Sequence, residues 1–201
     1  ADTINTGLAA DHVTGGNGID TITLTEGVAA ADEVELTIGA TNYDNITGFS
    51  AGGGAGNDNL SALDTTFAWF GKGGGSNKDG AVALISAATI KAAKVADDNF
   101  TIATISTNAA ADTFDNFVAG TTNEAAMEAL VITALGLTGA ATNADIALIA
   151  VDDGEDTGIF KFTSDDNATD DAVAAAEIQI MAVLQGVADA TTIVAADVLF
   201  A

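Results

Sequence analysis

Asp2, Asp11 and Asp20 stand nine residues apart, and each is followed two residues later by a branched aliphatic: Ile4, Val13 and Ile22. Alternation along a strand points the middle side chain of each x-aliphatic-x triplet inward. A fixed period this short leaves each repeat one short strand and one turn, which is the pattern of a stacked-repeat architecture.

The third repeat is complete. Gly15-Gly16-Asn17-Gly18-Ile19-Asp20-Thr21-Ile22-Thr23 fits G-G-x-G-x-D-x-U-x, with U a large aliphatic, and Gly53-Gly54-Ala55-Gly56-Asn57-Asp58-Asn59-Leu60-Ser61 fits it again. Calcium takes six to eight oxygen ligands and accepts backbone carbonyls as readily as carboxylates. Glycines allow the backbone to turn those carbonyls toward a cation. The competing reading is an ordinary hairpin turn at Asn17-Gly18.

These residues resemble the RTX-type nonapeptide repeats of calcium-binding, type I secreted bacterial proteins. The resemblance implies a short calcium-binding parallel β-roll in which two repeats make one coil. Asp2 and Asp20 would then share one edge, with Asp11 on the opposite edge, and calcium would join Asp2 or Asp20 to carbonyls of Gly15 through Gly18. The residues expected at metal are Asp2, Asp11, Gly15, Asn17, Gly18, Asp20, Gly53, Ala55 and Asp58. Nine residues past Asp20 stands Ala29, so the regular array ends there. Asp32, Asp44 and Asp58 still precede an aliphatic by two residues, which leaves a looser winding at irregular spacing as an alternative. Tyr43-Asp44-Asn45-Ile46-Thr47-Gly48-Phe49-Ser50 resembles a segment that follows such arrays in the same superfamily.

Charge agrees with a cation-dependent fold. The 201 residues carry 29 acids against five lysines and no arginine, a net charge of −24, yet 48% are hydrophobic. Self-repulsion on this scale opposes compaction unless cations bind or screen it. Nothing here neutralises a row of phosphates, which excludes nucleic acid as a partner. Cysteine is absent, so disulfides and thiolate metal sites are excluded. Proline is absent too, where average usage gives roughly ten. No apolar run approaches the length of a membrane span.

The chain divides by composition into three parts. Residues 1–70 hold the repeats and following strands, 71–120 a loop and linking β segment, and 121–201 a β-rich α+β domain. Within the last, a helix is expected after Thr121-Thr122-Asn123-Glu124, and strands over 146–151, 159–163 and 177–184. The acidic turn 152–156 and the run from Asp165 to Asp171 read as solvated hairpin ends, with calcium binding as the alternative. Asp197-Val198-Leu199-Phe200-Ala201 resembles an uncleaved type I secretion signal, or else is an edge strand. Residues 144–201 resemble C-terminal domains of surface-layer and other large repeat proteins.

Catalytic chemistry has little to work with. His12, the single histidine, sits at a variable repeat position, and no G-x-S-x-G elbow exists. The expectation is a non-enzymatic, calcium-dependent structural protein of a Gram-negative cell surface or its surroundings, self-assembling into a surface layer, fibre or biofilm matrix. Its expected partners are copies of itself, a cell-surface polysaccharide and the type I secretion machinery. The alternative is a calcium-folding and secretion module at the C-terminus of a larger exported enzyme or adhesin.

Overall fold

A computed structural model describes residues 1–25, 30–37, 43–62, 83–85, 101–106, 146–163 and 178–200. The protein is mainly β, with extensive parallel pairing and, among the described residues, no α-helix. Six short strands open the chain: β1 (Thr3–Asn5), β2 (His12–Thr14), β3 (Thr21–Thr23), β4 (Glu33–Glu35), β5 (Asp44–Thr47) and β6 (Asn59–Ala62). They alternate between two sheets. β1, β3 and β5 pair in parallel in one sheet, and β2, β4 and β6 pair in parallel in the other.

The register explains the aspartate-to-aliphatic phase. Ile4, Ile22 and Ile46 are in-register partners in the first sheet, and Val13, Val34 and Leu60 in the second. Each strand sends one aliphatic inward, and the two columns meet in one hydrophobic cluster. Burying each such side chain contributes about 1.5–3 kcal/mol.

Pairing runs past Ala29, where the nine-residue array ends. The aliphatic spacing lengthens from 9 to 12, 12 and then 14 residues, while Val34, Ile46 and Leu60 stay in register. The parallel pairing therefore continues at irregular sequence spacing beyond Ala29. Tyr43 and Phe49, flanking β5, are buried with it.

The later strands join the same two sheets. β7 (Ala83–Ile85) and β8 (Thr101–Ser106) pair in parallel, and β8 pairs in parallel with β9 (Ile146–Asp152). β9, β10 (Thr157–Thr163) and β11 (Ile178–Gln185) form an antiparallel meander. β11 then pairs in parallel with β5, placing Leu184 opposite Ile46. β12 (Val198–Phe200) pairs in parallel with β6, placing Val198 opposite Leu60. The strands expected over 146–151, 159–163 and 177–184 are therefore present. Val198–Phe200 is, among the described residues, an edge strand of the four-stranded sheet β12-β6-β4-β2. The expected helix after 121–124, the glycine-rich loop 71–80 and the acidic run 165–171 lie outside the described residues, as do the boundaries near 70 and 120.

Candidate cation-binding columns

Because the strands are in register, so are the aspartates that precede them. Asp2, Asp20 and Asp44 form one column at the head of β1, β3 and β5, and Asp11, Asp32 and Asp58 another at the head of β2, β4 and β6. Asp20, Asp32 and Asp58 are fully buried and Asp44 nearly so. Neighbouring strands sit about 4.8 Å apart, so the columns stack like charges at close range.

Backbone hydrogen bonds relieve part of this. The Asp2 N–H donates to Asp20 Oδ1. The Asp20 N–H donates to Asp44 Oδ1 at 3.1 Å, Asp11 N–H to Asp32 Oδ1 at 2.8 Å, and Asp32 N–H to Asp58 Oδ1 at 2.9 Å. The terminal ammonium of Ala1 lies 3.5 Å from Asp20 Oδ1. One oxygen each of Asp20, Asp32, Asp44 and Asp58 is thus engaged within the ladder.

The second oxygens divide the sites into two kinds. Asp58 Oδ2 accepts the Ser50 N–H at 2.8 Å, so that carboxylate is served at both ends. Asp20 Oδ2 and Asp32 Oδ2 are buried and receive no hydrogen bond. A buried carboxylate oxygen without a donor is costly and calls for a proton or a cation. Burial pushes the Asp44 carboxyl up to about 7; the Asp20 N–H opposes the rise and the Asp20 charge adds to it. Asp58 is also raised, by burial first, with the Ser50 and Asp32 N–H groups opposing and the Asp32 and Asp197 charges adding.

Gly15 lies against this site. A methyl group there would fall 2.8 Å from Asp44 Cγ, so only glycine admits the Asp44 carboxylate beside the 15–18 loop. The structure therefore brings Asp44 against the loop's first glycine. Gly18 abuts the N-terminal residue instead, and Asn17 is exposed. Asp32 and Asp44 share these columns but were not among the residues expected at metal, although both carry the aspartate-x-aliphatic mark. Among the described residues, no three acidic or histidine side chains converge as a metal-holding group. A divalent ion here would depend on carbonyl oxygens beside the carboxylates, and an all-oxygen donor set suits a hard cation.

The second glycine loop is built differently. Asn57 Nδ2 donates to the Ala51 carbonyl at 2.7 Å and closes the loop on itself. Gly53 and Ala55 are exposed, while the Gly52 and Gly53 N–H groups point to the Asp197 carboxylate.

The acidic turn 152–156 is not a solvated hairpin end. Asp152, Asp153 and Asp156 are buried. Asp153 Oδ1 accepts the Glu155 and Asp156 N–H groups, Asp156 Oδ1 that of Gly186 at 2.6 Å, and Asp152 Oδ2 that of Ala190 at 3.0 Å. These bonds pin the hairpin under residues 186–190, a long-range contact with no trace in the local pattern.

His12 is exposed on the outer face of β2, 3.8 Å from Glu35 Oε2. Thr14 Oγ1 donates to the same oxygen at 2.7 Å. No helix among the described residues is long and apolar enough to cross a membrane. Comparison with known proteins gives no match to a family model, a curated protein or a solved structure.

Proposed function

We propose that the chain is a calcium-dependent structural protein of the cell surface or extracellular matrix, whose first six strands form a short parallel β-roll held by cations along its aspartate columns. The observation that carries this is the pair of buried, donorless oxygens, Asp20 Oδ2 and Asp32 Oδ2, in a chain of net charge −24. Asp20, Asp32 and Asp44, with carbonyls of the 15–18 loop, are the groups that would hold the ions. Calcium supplies positive charge and a flexible oxygen shell at these positions.

Assembly with further copies is the role the edges favour. β2 and β12 are the outer strands of the four-stranded sheet, and β1 and β7 those of the eight-stranded one. Leu8, beside β1, is 67% exposed. Open strand edges are templates for pairing unless guarded by lysine or proline, and the chain has five lysines and no proline. Acidic repulsion would keep copies apart until calcium neutralises it, after which edges pair between subunits. Export by the type I route of a Gram-negative bacterium, and contact with a cell-surface polysaccharide, belong to the same reading.

Circular dichroism, light scattering and negative-stain microscopy with calcium and with EGTA test it. Calcium should order the chain and yield sheets or fibres that dissolve in chelator, with magnesium a poor substitute. Identical spectra in EGTA and calcium would remove the cation from the reading. A calcium-bound monomer at high concentration would favour the secretion and folding module of a larger protein.

A further inference from the structure

We infer that the second glycine loop is a receptor for a carboxylate of the same chain, and that docking of Asp197 into it is the latch that closes the four-stranded sheet. Three backbone donors converge on this one side chain. Gly53 N–H donates to Oδ1 at 2.5 Å, and Gly52 and Val194 N–H groups donate to Oδ2 at 2.9 Å each. Gly52 and Gly53 have φ of 126° and 61°. Successive N–H groups turned inward in this way form a concave nest for an anion.

The fit is close on the other side as well. A methyl group on Gly53 would lie 2.7 Å from Val194 Cγ2 and 2.8 Å from Ala196 Cβ. Asp197 itself is fully buried. Its carboxylate thus has a donor at each oxygen, in contrast to the bare Oδ2 atoms of Asp20 and Asp32. A loop whose N–H groups face a negative charge presents the wrong pole to a cation, so this repeat, despite matching the nonapeptide, serves an anion.

The consequence reaches the sheet. Asp197 immediately precedes β12, whose only strand partner among the described residues is β6. The parallel pairing Val198–Leu60, Leu199–Ser61 and Phe200–Ala62 spans three residues. A strand this short is marginal by itself, and the latch fixes its entry. Residues 144 and 145 apart in sequence are joined through one carboxylate.

Hydrogen exchange on the full chain, in calcium and in EGTA, tests the latch. Asp197→Asn keeps the shape but removes the charge and turns an amide against N–H donors. Exchange at Gly52, Gly53 and Val198–Phe200 should quicken about tenfold or more relative to wild type in the same buffer. Calcium stoichiometry by calorimetry should stay at the wild-type value. Gly53→Ala should loosen the same amides, and Gly54→Ala, whose added methyl meets only ordinary contacts, should not. Unchanged exchange in Asp197→Asn, or loss of a bound calcium, overturns the latch. Wild-type protein that binds no calcium would overturn the proposed function, while the exchange comparison would still decide the latch.

Discussion

Half of the opening strands, β1, β3 and β5, lie in one continuous sheet with the β9–β11 meander, yet the two regions are held by different forces. In the opening strands one aliphatic per strand points inward, as in β2, where only Val13 is buried and His12 and Thr14 face solvent. In the meander, burial is nearly continuous: Leu148 through Val151, and Ile180 through Leu184, are all inside. β9 and β10 share seven registered pairs, where β1 and β3 share three. A strand buried on both faces is stabilised by apolar area alone. A strand with one inward side chain relies on what happens at its ends, and the heads of β3, β4, β5 and β6 carry the buried Asp20, Asp32, Asp44 and Asp58. Cation dependence should therefore be local to the opening strands, and the meander indifferent to it.

The largest effect should come from the meander's own core. Phe160 is fully buried, and Phe160→Ala should cost about 3–5 kcal/mol. The loss, measured by denaturant unfolding, should be equal in calcium and EGTA. A loss that appears only in EGTA would mean that the two regions share their cation dependence.

Removing calcium comes next. An ion at about a hundred times its dissociation constant contributes about 2.7 kcal/mol per site. In EGTA, amide protection should fall across β1–β6 and persist in β9 and β10, as read by hydrogen exchange with mass spectrometry. Protection lost evenly from both regions would erase the distinction drawn here.

Asp44→Asn should then show opposite signs in the two buffers. With calcium, the variant loses a ligand and should be less stable than wild type by about 1–2 kcal/mol. In EGTA it removes a buried charge stacked on Asp20 and should be as stable or more so. A destabilisation of the same size in both conditions would make Asp44 a structural hydrogen-bond acceptor only. The calcium half of this contrast rests on the proposed function; the EGTA half rests on burial alone.

What the sequence revealed follows the same division. The column Ile4, Ile22, Ile46 is legible because one inward residue and one aspartate mark each strand, and the mark survives at Asp32, Asp44 and Asp58 when the spacing does not. Ending the array at Ala29 treated the period as the signal, whereas the structure keeps the triplet in register at a longer spacing. The meander's strands were legible as apolar runs, but not their destination: nothing local in Ile178–Gln185 selects β5 as a partner. The 152–156 aspartates were read as exposed because an acidic turn looks the same whether water or a distant N–H receives it.

The last test concerns pH, and its sign separates the proton from the cation as the occupant of the columns. Asp44 has a folded pKa of about 7 against an ordinary value of 3.8. Between those values the folded chain binds a proton that the unfolded chain has released, so stability falls as pH rises through this window. The contribution is complete below about 3.8 and gone above about 7. In EGTA, then, the unfolding midpoint of β1–β6 should rise as pH is lowered from about 8 to about 5. Asp189 works the other way. Hydrogen bonds from the Thr191 hydroxyl and N–H hold its carboxyl below the usual range, so its contribution is lost only in acid beneath that window. With calcium bound the slope should flatten or reverse, since a proton on Asp44 then expels a ligand rather than quenching a buried charge. A midpoint in EGTA that rises with pH over this range would show that Asp44 is ionised in the folded chain without a cation, and the columns would need another source of compensation.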